Sequence, residues 1–389
     1  MKGLQKWFLV AGLVLSLGLL AGCGGDKKAD SGEIVIGNLQ DLSGPTSVNG
    51  NMVARGAELA VERINAAGGV NGKKIRLVTL DTKGDVQEAI KAYNRLVDQE
   101  KAVAVVGPPV SNIGLALAPI ANQKKVPILG SFIDPRVTVD EKTGKAQPAM
   151  FLMQPSSIQY GEILAGYSLE KMNVKKFGIL YDQSNAFAVS MIAPFKKYVE
   201  AHGGEVVIEL VYAKGDKDFK TQLAKIKEAG VDALYAPNYT QDMVIIAKQK
   251  NQVGLQVPMI SGIDAAPPLA SLINDPEAAN NIYFANNISE KEPQLQEVSK
   301  AYKEKYKEDA INKSFLGYDA VYMLADSVKR EGATGPGIIK GLETLKDLPG
   351  TTGVLTMSNA THQLVGLSMV MYEIKDGKYV ELERYALKK

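Results

Sequence analysis

Two spacings of apolar residues alternate along most of this chain. Short continuous runs such as Ile34-Val35-Ile36, Ile75–Leu80 and Ala102–Val106 are rich in branched residues and bounded by Gly, Pro or Asp. Such runs predict strands buried on both faces of a parallel sheet. Between them, apolar residues recur at helical spacing. A helix is predicted from about Asn51 to Ala67, with Val53, Ala57, Ala60, Val61 and Ile64 on one face and Gly68-Gly69 ending it. Asp85 caps the next, which runs to about Asp98. Further strands are expected at 126–130, Phe177–Tyr181, Val206–Val211, Ala233–Ala236, Pro258–Ser261 and Ile282–Ala285. Helices are expected at Gly161–Met172, Phe187–His202, Phe219–Ala229, Met243–Val253, Pro293–Tyr306, Phe315–Lys329 and Pro336–Leu348. The last 35 or so residues read instead as short strands at Val354–Met357, Ser368–Glu373 and Val380–Tyr385. Repeated βαβ units followed by a β-rich tail predict an α/β fold of two doubly wound lobes.

The stretch from Ala102 to Arg136 carries the clearest chemistry. A Val-rich strand ends at Gly107, and a helix follows from about Ser111 or Asn112. Free backbone N–H groups and the positive end of the helix dipole then meet at the carboxyl edge of a strand, where open α/β sheets bind ligands. An anion, most simply a carboxylate, suits that place. The same residues also read as an ordinary strand-to-helix turn with a capping serine. Asp81 and Asp85 suggest a loop acid and a cap rather than a cation site, because nothing nearby completes an oxygen cage. No metal and no cofactor are expected.

Composition adds an address. Lys2 and Lys6 precede an uncharged apolar run of 13 residues, Phe8–Leu20, and Leu20-Ala21-Gly22-Cys23 closes it. This predicts a signal peptide over 1–22, too short for a comfortable membrane span. Cys23 is the only cysteine, so no internal disulfide can form. Its position resembles a bacterial lipobox, which implies lipidation at Cys23. Residues 23–32 then form the lipidated end and a tether. Removing 1–22 leaves 43 basic against 43 acidic residues, so nucleic acid is a poor partner. The two histidines, His202 and His362, have no partner at metal spacing, and no nucleophile elbow or phosphate loop occurs. A binding protein is expected, not an enzyme.

Several segments together resemble the leucine/isoleucine/valine-binding protein family, the extracytoplasmic receptors of branched-chain-type amino acid ABC transporters. They are Asp41-Leu42-Ser43-Gly44-Pro45, Gly56-Ala57, Ile64–Gly72, Gly107 with Ser111, Val126-Pro127-Ile128, Lys217-Asp218-Phe219 and Gly317-Tyr318-Asp319-Ala320. The resemblance implies a type I periplasmic-binding-protein fold, two lobes joined by three crossing strands. Lobe 1 would comprise 33–154 and 287–352, and lobe 2 would comprise 155–286 and 353–389.

Site residues follow from the same resemblance. Ser111, beside Asn112, matches the serine that holds the ligand carboxylate. Phe132 falls where a small residue offers its carbonyl to the ammonium group. Asp134 stands where the family usually has threonine, either as a ligand contact or as a partner of Arg136. Tyr239 matches a second-lobe aromatic that covers the ligand, and Phe187, within one residue, supplies another. For Phe132, Phe187 and Tyr239, core packing is the competing role. Asp264 falls within one residue of the acid that binds the ammonium, and Asn49 replaces a first-lobe aromatic. The expectation is a monomeric receptor on the cell envelope, held to the membrane by its lipid, that closes on a small amino acid and passes it to an ABC permease. A different small organic ligand, or a role as a sensor subunit, are the alternatives.

Overall fold

The computed structural model describes residues 32–289, 291–366 and 369–387. The signal peptide, Cys23 and nearly all of the tether lie outside those residues.

The first lobe begins with β1 (Ile34–Gln40), α1 (Ser47–Ala66), β2 (Ile75–Asp81), α2 (Val86–Asn94), β3 (Ala104–Val106), α3 (Ser111–Lys124), β4 (Ile128–Gly130) and β5 (Met150–Leu152). Its strands form a parallel sheet in the order β2-β1-β3-β4-β5. β1, β3, β4 and β5 are buried along their whole lengths, as their unbroken apolar runs predict. Asp85 caps α2 by accepting from the Gln87 and Glu88 amides, and a π turn over Arg95–Gln99 carries the helix on.

The second lobe comprises α4 (Ser157–Glu170), β6 (Lys176–Asp182), α5 (Ala186–Ala201), β7 (Glu205–Tyr212), α6 (Lys220–Glu228), β8 (Ala233–Tyr235), α7 (Thr240–Gln252), β9 (Met259–Ser261), α8 (Leu269–Ile273) and β10 (Ile282–Asn286). The chain then returns to the first lobe through α9 (Pro293–Tyr306), α10 (Asn312–Glu331), α11 (Gly335–Glu343), β11 (Leu348–Gly350), β12 (Gly353–Met357) and β13 (Leu364–Val365). It crosses back to finish with β14 (Met369–Lys375) and β15 (Lys378–Tyr385). The second sheet runs β15-β14-β10-β9-β8-β6-β7, and only β14 runs against the other strands, pairing antiparallel with both β10 and β15.

The last crossing falls later than the sequence places it. Leu355, Met357 and Leu364 pack with α10 and β3 in the first-lobe core, whereas Met369–Tyr372 join the second-lobe core. Residues 353–365 therefore sit with lobe 1, because their apolar side chains cover α10 in a separate three-stranded sheet.

Helices α1 and α10 cross in close contact. A Cβ on Gly56 would lie 1.9 Å from the Ser314 carbonyl oxygen, and one on Gly317 would lie 2.1 Å from that of Val53. Only glycine lets the two backbones approach this closely, and the approach buries the first turn of α10.

The two lobes repeat one plan. In lobe 1 the strand order reverses between β1 and β3, and in lobe 2 it reverses between β6 and β8. The carboxyl edges at these switch points are where open α/β sheets take ligands.

Candidate functional site

Ser111 and Tyr239 follow the corresponding strands, β3 and β8, at the two switch points. Asp134 and Asp264 follow the next strands, β4 and β9. This shared topology brings residues far apart in sequence to one cleft.

Ser111 is fully buried, and its hydroxyl has no hydrogen-bond partner among the described residues. It is not the cap that the sequence suggests. Val110 occupies that position in extended conformation, and Ser111 is already the first helical residue, so its hydroxyl makes no cap bond. The turn before it requires glycine: Gly107 has φ +98° and a Cβ there would lie 2.1 Å from the Leu39 carbonyl.

Tyr239 precedes α7 and stacks on Phe187, with ring centroids 4.9 Å apart and planes 23° from parallel. Its hydroxyl is buried and makes no well-formed hydrogen bond among the described residues; the nearest donor acting on it is the Ser111 backbone N–H. Burial raises the Tyr239 pKa far above the phenol range, and the Asp264 charge adds to that shift. Tyr160, on α4, is buried with a hydroxyl that has no partner among the described residues, and its pKa is raised by burial and by Asp264.

Asp264 sits in a short 3-10 turn, Ile263–Ala265, and is 4% exposed. Its Oδ1 accepts a 2.5 Å hydrogen bond from Asn49 Nδ2 on α1 of the other lobe. The Asp264 backbone carbonyl accepts from the Thr240 hydroxyl at 2.9 Å, tying the turn to α7.

Three residues that the resemblance places in the site have side chains engaged by the protein itself. Asp134 is fully buried and pairs with Arg136: its oxygens accept from Nε at 3.0 Å and from Nη2 at 2.6 Å. It also accepts from the Arg136 amide at 2.9 Å, which fixes the local turn. The Arg136 pKa is raised, chiefly by that side-chain hydrogen bond. Phe132 packs its ring into the first-lobe core, close against Gly114 and Gly130, which is the competing role weighed for it. Asn112 spends its amide on the second lobe: Nδ2 donates to the Ser184 carbonyl at 3.0 Å, and Oδ1 accepts from the Ala186 amide at 2.8 Å. The lobes are thus in direct contact.

A cavity of about 460 Å³ opens at the outer end of the cleft, lined by Asp85, Val110 and Asn112 from one lobe and Asp182, Lys214 and Tyr239 from the other. Ser111 and Asp264 do not line it. Nor do the acids at this mouth look available: Asp182 accepts from the Ser184 amide and hydroxyl, and Asp242 from the Tyr212 hydroxyl. Among the described residues no group of three or more His, Cys, Asp or Glu side chains could hold a metal ion, and no helix is long and apolar enough to cross a membrane.

Lys313, in the first turn of α10, is a residue the sequence reading missed. It is 7% exposed and has no hydrogen bond or ion pair among the described residues. The available signal was its position, since a lysine at a helix N-terminus opposes the helix dipole.

Two doubly wound lobes, three crossings and a polar cleft between the switch points define a type I periplasmic binding fold. The chain belongs to the periplasmic binding protein family, whose model matches residues 33–378. It is 27% identical to Leu/Ile/Val-binding protein homolog 3 of Brucella melitensis, over 92% of this chain and 96% of that protein. Among solved structures it is similar to the branched-chain amino acid transporter substrate-binding protein LivJ of Streptococcus pneumoniae in complex with isoleucine. That match has a TM-score of 0.82 and 30% identity, covering 91% of this chain and 99% of that one. A solute-binding protein of an R. palustris ABC transporter, in complex with benzoate, shares the fold with a TM-score of 0.78 at 23% identity, covering 90% and 96%. The family is one of solute-binding proteins, not an enzyme class, and its name sets it outside the cytoplasm.

Proposed function

We propose that this chain is the extracytoplasmic receptor of an ABC importer, closing its lobes on a small amino acid and delivering it to a permease. The observation that carries the reading is the set of buried, unpartnered hydroxyls of Ser111, Tyr160 and Tyr239 around the Asp264 carboxylate. Buried polar groups without partners cost free energy, and a ligand that bonds them offsets that cost. The free amides at the start of α3, with Ser111, suit a ligand carboxylate. Asp264 suits an ammonium group, and Phe187 with Tyr239 would cover the rest. The relatives' names put branched-chain amino acids first among the compounds to test. Because the site draws on both lobes, a ligand that contacts both stabilises the closed form.

Small-angle scattering of protein stripped of ligand by unfolding and refolding tests the reading. A mixture of amino acids should reduce the radius of gyration, and an unchanged profile at saturation would sink it. The proposal extends to a monomer anchored through lipid at Cys23. In that case a Cys23→Ser variant should fold yet no longer sediment with membranes, and unaltered sedimentation would remove the anchor.

A further inference from the structure

Lys313 is a buried lysine whose side chain makes no hydrogen bond or ion pair among the described residues. It is buried in the first turn of α10, where its charge is unfavourable to the helix dipole. Its neighbours are engaged in structure. Asn312 Nδ2 donates to Asn286 Oδ1 at 2.7 Å and to Asn287 Oδ1 at 2.6 Å, at the return crossing between lobes, and the Ser314 backbone presses on Gly56. Lys313 alone of the three makes no bond among the described residues. Desolvation lowers its pKa, and the Asp264 carboxylate is the charge that opposes this shift. Asp264 bonds Asn49 of α1, the helix on which the first turn of α10 packs through Ser314, so Lys313 stands on the first-lobe wall beside that bond; the Asp264 charge also acts on Tyr160 and Tyr239, and no ion pair joins it to the lysine among the described residues.

The cleft thus presents three poles: the positive end of α3 beside Ser111, the negative Asp264, and the positive Lys313. An aliphatic amino acid answers the first two and leaves a buried ammonium against hydrocarbon, which is unfavourable. A plain monocarboxylate answers one cation and leaves Asp264 without a ligand partner. An amino acid with a second carboxylate answers all three. We infer that the site selects a small dicarboxylic amino acid, whose side-chain carboxylate is received by Lys313. This rests on the amino-acid reading above and changes which amino acid is bound.

Calorimetric titration of the refolded, ligand-free protein with L-glutamate, L-aspartate, L-leucine and benzoate tests it. One of the two acids should bind about 30-fold or more tighter than L-leucine, the preference expected of a desolvated charge pair. Lys313→Met should abolish that preference, and Lys313→Arg should keep much of it. L-leucine binding more tightly than both acids would overturn this inference while leaving the receptor reading intact. Binding of benzoate alone would overturn both. An unchanged ratio of acid to leucine affinity in Lys313→Met would also overturn it. Should that variant fail to fold, the wild-type ranking and the Lys313→Arg titration still decide.

Discussion

Asp134 and Asp264 stand at matching places in the two lobes, each just past the fourth strand of its sheet and each buried. Their surroundings differ completely. Asp134 has a cation two residues away, and Arg136 closes on it with both its side chain and its amide. Asp264 has no cation on its own turn, and its reach is across the cleft, to Asn49 and the field of Lys313. A carboxylate answered locally belongs to the scaffold. One answered only from the opposite lobe responds to closure and to whatever lies between.

Three substitutions can break or sharpen that contrast. The largest effect is expected from Asp264→Asn, which keeps the shape and removes the charge. It should weaken an amino-acid ligand by about 2–5 kcal/mol, on the order of 30- to several-thousand-fold, with little change in thermal stability. An unchanged Kd by calorimetry would make Asp264 a scaffold residue like Asp134. Next comes Ser111→Ala, which removes one hydrogen bond to a charged group, roughly 1.5–3 kcal/mol and about 10–150-fold in affinity. Its melting temperature should hardly move, because Ser111 caps nothing. The smallest effect is expected for Asp134→Asn, which removes the charge facing Arg136 and leaves one oxygen to accept from it. The loss should fall on stability, about 1–2 kcal/mol once solvent screening of the one-third-exposed arginine is allowed for. The ranking of ligands should stay within about twofold. A changed ranking with unchanged stability would place Asp134 in the site after all.

Much of the architecture was legible, because continuous apolar runs and helical spacing are written locally. β3, α3 and the glycine between them follow directly from 104–111. What short strands pair with is not written locally, so 353–365 read as part of the second lobe although they sit with the first. The same limit applies to the cleft. The Asp-Pro-Arg turn lies within three residues, so the pairing of Asp134 could be offered as an alternative from sequence. Lys313 could not be read as buried, because its burial depends on the glycine crossing of α1 and α10, far apart in the chain. Starting that helix at Phe315 rather than Asn312 also left the lysine in a loop, where a charge attracts no notice.

The amide of Asn112 has a consequence that reaches past the pocket. Its two bonds to the second lobe, at Ser184 and Ala186, are made by the protein without help from a ligand. At about 0.5–1.5 kcal/mol each, they weight the closed form of the empty protein by roughly 5- to 150-fold over a chain lacking them. Apparent affinity scales with the fraction of molecules already able to bind. Two receptors with identical pockets can therefore differ widely in affinity through such a bridge alone. A gain or loss shared equally by every ligand is the mark that separates it from a residue that chooses among them.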